Sequence, residues 1–243
     1  ASPAPLAQSS REPPMRERTA VIFDLDDTLY PERRFALSSY AAVAAHVAPD
    51  IGVPSPVLYR FLVQRFRRHG RVDLLQALCA AYDIPLRVVP TLVAVIRAHQ
   101  PRLRLPRSSS RVLRELRARV HRLGLLTNGL PSTQRGKAAA LGVDVLVDAV
   151  VYAEEHAPEG KPAPVCFTTV LRRLGVDADR TVFVGDHPDK DVAGASHAGL
   201  HPIWLPGRQS GPPPAQAHAV ARNLAEVPAL VARLLEERHV VSC

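Results

Sequence analysis

Three aspartates and a threonine crowd into the segment VIFDLDDTLY (21–30): Asp24, Asp26, Asp27 and Thr28. Asp24 and Asp26 are two apart, so on an extended chain both side chains leave the same face. Carboxylates held that close repel unless a cation or a shared proton relieves them. A hard divalent ion such as Mg²⁺, which takes carboxylate and phosphate oxygens together, meets that need. The element that must position them is the run leading into Phe23, apolar and β-branched like a strand buried on both faces. Open α/β sheets bind ligands at the C-terminal ends of such strands. Taken alone, the segment also fits a polar turn that only solubilises a loop.

Three more stretches repeat the pattern of an apolar run followed by small polar groups. The run 120–126 ends in Thr127-Asn128-Gly129, and the run 181–184 ends in Gly185-Asp186 with Asp191 close behind. Gly160-Lys161-Pro162 places an amine before a helix over 164–174 that Gly175 closes. Helices are also expected from the Ser108–Ser110 N-cap to about 118, over 133–141 up to Gly142, over 190–198 and over 227–238. Strands are expected within 143–152 and over 202–205, and 207–215 reads as a Pro/Gly loop. Strands and helices alternating in this way imply right-handed crossovers and a parallel sheet, with every polar strand end at one edge.

Between the first two strands the alternation stops. Residues 34–47, 56–69, 73–82 and 89–99 read as amphipathic helices, with breaks at Pro49, Gly52, Pro54, Gly70, Pro85 and Pro101. The expected organisation is a disordered leader over 1–18, in which Met15 approximates the functional start, and an α/β core over 19–30 and 106–206. A helical insertion over 31–105 forms a small bundle above the acidic strand end, and 207–243 supplies the loop and a terminal helix.

Composition removes several classes of function. No apolar run approaches the roughly 18 residues of a membrane span, and the N-terminus lacks the basic-then-apolar order of a signal peptide. Cys79, Cys166 and Cys243 are odd in number and form no CxxC pair, which argues against a disulfide framework or structural zinc and for a reducing, cytoplasmic setting. The net charge of +8 invites a nucleic-acid partner. The basic residues are nearly all arginines spread along the chain, however, and the densest group, Arg60 to Arg71, has its aromatics at helical spacing. That describes a solvated helix face better than a base-stacking surface.

DxDxT, then TN, then the lysine of GKP, then GDxxxxD, in this order, resembles the haloacid dehalogenase (HAD) superfamily of hydrolases over residues 19–205. The resemblance implies a Rossmann-like parallel-sheet core with a type 1 helical cap. It implies a cytoplasmic, Mg²⁺-dependent phosphatase for a small phosphomonoester, acting as a monomer or homodimer. Asp24 would be the nucleophile and Asp26 the general acid and base, with its backbone carbonyl on the metal. Thr127 and Asn128 would hold the phosphoryl group, Lys161 would neutralise it, Asp186 would ligate the metal, and Asp191 would complete the metal site through a bound water or orient Lys161. Family dehalogenases lack the second acid, so Asp26 favours phosphoryl chemistry.

LGLLTNGLPSTQRGKAAALGV is similar to family members acting on nucleoside monophosphates or acyl-sugar phosphates, and sugar phosphates also stay open. A phosphomutase using the same intermediate and a non-catalytic binding module are the alternatives. Asp27 and Asp189 are expected as exposed turn carboxylates, His187 as a cap of the following turn, and Thr28 in a local hydrogen bond. Arg33, Arg34, Tyr40, Arg65 and Arg68 are the cap candidates for specificity.

Overall fold

A computed structural model describes residues 18–207 and 211–236. The leader with Met15, the end of the expected terminal helix and Cys243 lie outside the described residues. Six parallel strands form one sheet in the order β3-β2-β1-β4-β5-β6. They are β1 (Ala20–Phe23), β2 (Arg122–Thr127), β3 (Ala149–Tyr152), β4 (Thr181–Gly185), β5 (His201–Trp204) and β6 (Ala219–Val220). This is the order of a doubly wound sheet, whose strand order reverses beside β1.

The two-residue alternation of β1 sends its side chains into two separate cores. Val21 and Phe23 pack with α5 (Arg107–Arg117) and α9 (Val227–Glu236), while Ala20 and Ile22 pack with α7 (Pro164–Leu174). All four are fully buried, so truncating Phe23 to alanine should cost about 3–5 kcal/mol. The register then sets the site. Phe23 lies beside Leu125 of β2 and Val184 of β4, so the residues that follow these positions emerge level at one sheet edge.

The insertion is built from α1 (Arg33–Ile51), α2 (Ser55–His69), α3 (Leu74–Ala81) and α4 (Val89–Ala98). These helices close around their own apolar cluster, including Tyr40, Val43, Leu58, Leu62, Leu78 and Leu92. Phe35 and Leu103, at the two ends of the insertion, belong instead to the cluster beneath the sheet.

Several local expectations are corrected. Helix α1 passes through Pro49 to Ile51, and Gly52, at φ 67°, supplies the left-handed stop. Ser108–Ser110 do not cap α5: the helix already begins at Arg107, and the Ser109 hydroxyl instead donates to the Leu29 carbonyl at 2.5 Å. Thr28 makes no local hydrogen bond, since its buried hydroxyl has no protein partner. The expected helix at 190 begins earlier, as a π-helical turn over Pro188–Ala193 that runs into the short α8 (Gly194–His197). Strand β6 was not anticipated, because two residues carry no periodicity.

Candidate active site

Asp24, Asp26, Thr127, Asn128, Lys161, Asp186 and Asp191 line one pocket of about 220 Å³ at the C-terminal edge of the sheet. A roomier cleft of about 780 Å³ shares Asp27 and Glu32 with it but reaches neither Asp24 nor Lys161. The smaller pocket is therefore where the chemistry-bearing groups converge.

Lys161 is the centre of the inner half. Its side chain is 2% exposed, and Nζ donates to Asp24 Oδ1 at 2.6 Å, Asp191 Oδ1 at 2.7 Å and the Leu126 carbonyl at 3.0 Å. Its backbone is held as firmly. Asn128 accepts from Lys161 N at 2.9 Å through Oδ1 and donates to the Lys161 carbonyl at 3.1 Å through Nδ2. The turn that allows this contact needs Gly160, where φ is +66° and an added Cβ would sit 2.6 Å from Asn128 Nδ2. Gly185 plays the matching part for Asp191, since a Cβ there would lie 2.4 Å from its Oδ2. The π-helical turn brings Asp191 inward, where Oδ2 also accepts from His187 N at 3.0 Å. His187 Nδ1 accepts from the backbone amides of Asp189 at 3.2 Å and Lys190 at 3.3 Å, so the histidine caps that turn as expected.

Burial pushes the Asp24 carboxyl up to about 8; Lys161 opposes that shift, and the nearby Asp191 and Asp26 add to it. Burial also opposes the charge on Lys161, but Asp191 and Asp24 outweigh it and hold the ammonium above its ordinary range.

The outer half is built on Asp26. Its carboxylate does not join Asp24, Asp186 and Asp191, whose ligand oxygens lie within 4.8 Å of one another. It is held elsewhere. Lys137 Nζ donates to its two oxygens at 2.9 and 2.7 Å, Gln134 Nε2 at 2.8 Å and the Tyr30 hydroxyl at 2.5 Å. Burial and the Asp26 charge keep that phenol protonated. Gln134 and Lys137 sit three apart on α6 (Pro131–Leu141), and both are buried. None of Tyr30, Gln134 or Lys137 was picked out from sequence. The available signal was the scarcity of lysine: Lys137, Lys161 and Lys190 are the lysines of the chain, and all three reach this site.

Asp27 takes φ 56° in the turn, and its carboxylate accepts from Glu32 N at 2.9 Å, so it is a structural turn residue. None of Arg33, Arg34, Tyr40, Arg65 or Arg68 lines the pocket. The cap-side contact is made by Arg71, which sequence reasoning did not single out and whose Nη2 lies 2.9 Å from Glu32 Oε1.

The model of the haloacid dehalogenase-like hydrolases matches residues 19–199. The chain belongs to that family. It is 34% identical over 191 residues to the glyceraldehyde 3-phosphate phosphatase of Methanopyrus kandleri, covering 74% of this chain and 81% of that protein. It is 39% identical over 126 residues to the human N-acylneuraminate-9-phosphatase, about half of each chain (49%). Among solved structures, a 2-haloacid dehalogenase from Pseudomonas syringae superposes with a TM-score of 0.60 at 29% identity, covering 89% of this chain and 99% of that one. This protein is an enzyme of the family's phosphatase branch. Among the described residues, no helix is long and apolar enough to cross a membrane.

Proposed function

We propose that the chain is a Mg²⁺-dependent phosphatase for small sugar phosphates, working through an aspartyl-phosphate on Asp24. The observation that carries this reading is the 2.6 Å pairing of Asp24 with Lys161 in a small pocket that Asp186 and Asp191 close from the side. The donor set suits a hard cation. Six carboxylates line the pocket (Asp24, Asp26, Asp27, Glu32, Asp186, Asp191) against two ammonium groups (Lys161, Lys190), although the whole chain is basic. A phosphate dianion entering that acidic pocket needs positive charge beyond what the lysines supply. Asp24, Asp186 and Asp191 would hold Mg²⁺. Bound there, the ion would offset the repulsion between nucleophile and phosphate.

The protein's own groups do the rest. An oxygen of Asp24 attacks phosphorus while the bond to the leaving oxygen breaks, and Asp26 gives that oxygen a proton. Asp26 then takes a proton from the water that attacks the acyl phosphate, which releases phosphate and restores Asp24. Lys161 holds Asp24 in line and offsets charge as it builds on the phosphoryl oxygens. Thr127, 1% exposed at the pocket floor, and the Asn128 backbone support those oxygens. Helices α1–α4 act as the cap, excluding water while the acyl phosphate forms.

A pocket of about 220 Å³ suits a phosphate on a short carbon chain, and the relative matched over most of its length acts on a triose phosphate. The test is a panel of triose, hexose, acyl-sugar and nucleoside phosphates, with released phosphate measured with and without Mg²⁺. Release of phosphate fastest from the triose phosphate, and only with the metal, is expected. An isomerised phosphoester without free phosphate would make the chain a mutase, and no turnover of any ester would contradict the reading.

A further inference from the structure

We propose that Lys137 is the positioning residue for the Asp26 carboxylate, and that Arg71 protects its hold by neutralising Glu32, the competing carboxylate. The inference rests on the phosphatase reading above, in which Asp26 moves the proton. The Lys137 side chain is 4% exposed and its Nζ contacts both oxygens of Asp26, which fixes the plane of the carboxylate as well as its place. The same Nζ lies 3.8 Å from Glu32 Oε1 and 4.4 Å from the centre of the Phe35 ring, so it sits at the root of the first insertion helix. Glu32 in turn pairs with Arg71, from the turn between α2 and α3.

The result is a row of alternating charge, Asp26, Lys137, Glu32, Arg71, running from the proton-transfer group to the insertion. Lys137 is the most shielded member, and exposure rises outward from it, with the side chains of Asp26, Lys137, Glu32 and Arg71 21%, 4%, 28% and 56% accessible. The inner link is shielded and directional, and the outer link is wet and easily broken. With Arg71 in place Glu32 is neutralised and Lys137 stays on Asp26. Without the arginine, Glu32 competes for the lysine and loosens Asp26. A lysine placed only to satisfy a half-buried carboxylate would need neither the Glu32 contact nor the link through it to Arg71.

The test is the dependence on leaving group. An alkyl phosphate expels a poor leaving oxygen and needs its proton, whereas 4-nitrophenyl phosphate expels a good one and hardly needs it. In Lys137→Met, kcat/KM for glyceraldehyde 3-phosphate should fall about 100-fold and for 4-nitrophenyl phosphate less than about 5-fold. In Arg71→Gln, a change on a half-exposed side chain that keeps the test alive if Lys137→Met does not fold, the alkyl ester should again lose more, by roughly 3- to 10-fold. Equal losses with both esters in folded variants would reduce Lys137 to a structural residue and overturn the proposal. Wild type active on both esters and Asp24→Asn inactive on both establish the underlying reading separately. If wild type releases no phosphate, that reading falls and takes this inference with it.

Discussion

Two lysine–aspartate pairs face the same pocket and are built to different ends. Lys161 and Asp24 are 2% and 9% exposed, come from the sheet edge, and are fixed further by Asp191, Asn128 and a strand carbonyl. Lys137 and Asp26 are 4% and 21% exposed, and their partners sit on a helix and a loop. Through Glu32 and Arg71 that second pair also touches the insertion. In-line attack tolerates little misplacement, so under the proposed function the more buried and more fully held Asp24 suits the nucleophile. Under the same proposal the more exposed Asp26 would meet the leaving oxygen and then water.

The largest effects should come from the two aspartates. Asp24→Asn should lower turnover by at least about 10⁴-fold with the fold intact by circular dichroism, since an amide of the same shape cannot attack phosphorus. Asp26→Asn should lose about 10²- to 10⁴-fold. If the two variants lost the same amount on a phosphate ester with a good leaving group, the two pairs would not have separate tasks.

The pairs should differ next in stability. Lys161→Met leaves Asp24 and Asp191 facing each other without a cation and should cost about 3–5 kcal/mol in urea unfolding. Lys137→Met leaves Asp26 with Tyr30, Gln134 and nearby water, and should cost about 1–2 kcal/mol. Similar costs would erase the distinction between the more buried and the more open pair.

Metal binding should report on the inner pair alone. Burial raises Asp24 to about 8, so below that pH an incoming cation must displace its proton. Apparent Mg²⁺ affinity, measured by calorimetry, should therefore rise about tenfold per pH unit from pH 6 to 8 and level off above. A flat profile would separate Asp24 from the metal. Asp186→Asn should weaken binding at every pH, while Arg71→Gln should leave it unchanged.

The smallest effect on chemistry should follow replacement of α1–α4 by a short linker. Once the remaining core is shown to be folded, Mg²⁺-dependent cleavage of 4-nitrophenyl phosphate should persist, and most discrimination among natural esters should disappear. A folded core that kept the full substrate ranking would move specificity out of the insertion.

The inner pair was legible in the sequence and the outer pair was not, for a physical reason. Asp24, Thr127, Lys161 and Asp186 each follow an apolar run or precede a helix, so local pattern alone brings them to one sheet edge. Apart from the nearby Tyr30, the partners of Asp26 come from 108 and 111 positions away and are fixed by how α6 docks, which no local period encodes. A trace was there nonetheless: Gln134 and Lys137 occupy core-facing positions of α6 beside Ala138 and Leu141, and buried polar groups must find partners. Arg71 falls in the arginine group read as a solvated helix face, whereas it stands in the turn after α2, and the arginines expected to set specificity do not line the pocket. Thr28 is expected to bond locally, but its buried hydroxyl finds no hydrogen-bond partner.

The account's central claim is that phosphate passes through Asp24. Rapid acid quench of Asp26→Asn with Mg²⁺ and a good phosphate ester, followed by peptide mass spectrometry, tests it most directly. The account predicts one added phosphoryl group on the peptide that carries Asp24, removable by hydroxylamine as an acyl phosphate must be. Phosphate release with no such adduct, or an adduct on a different peptide, would contradict it.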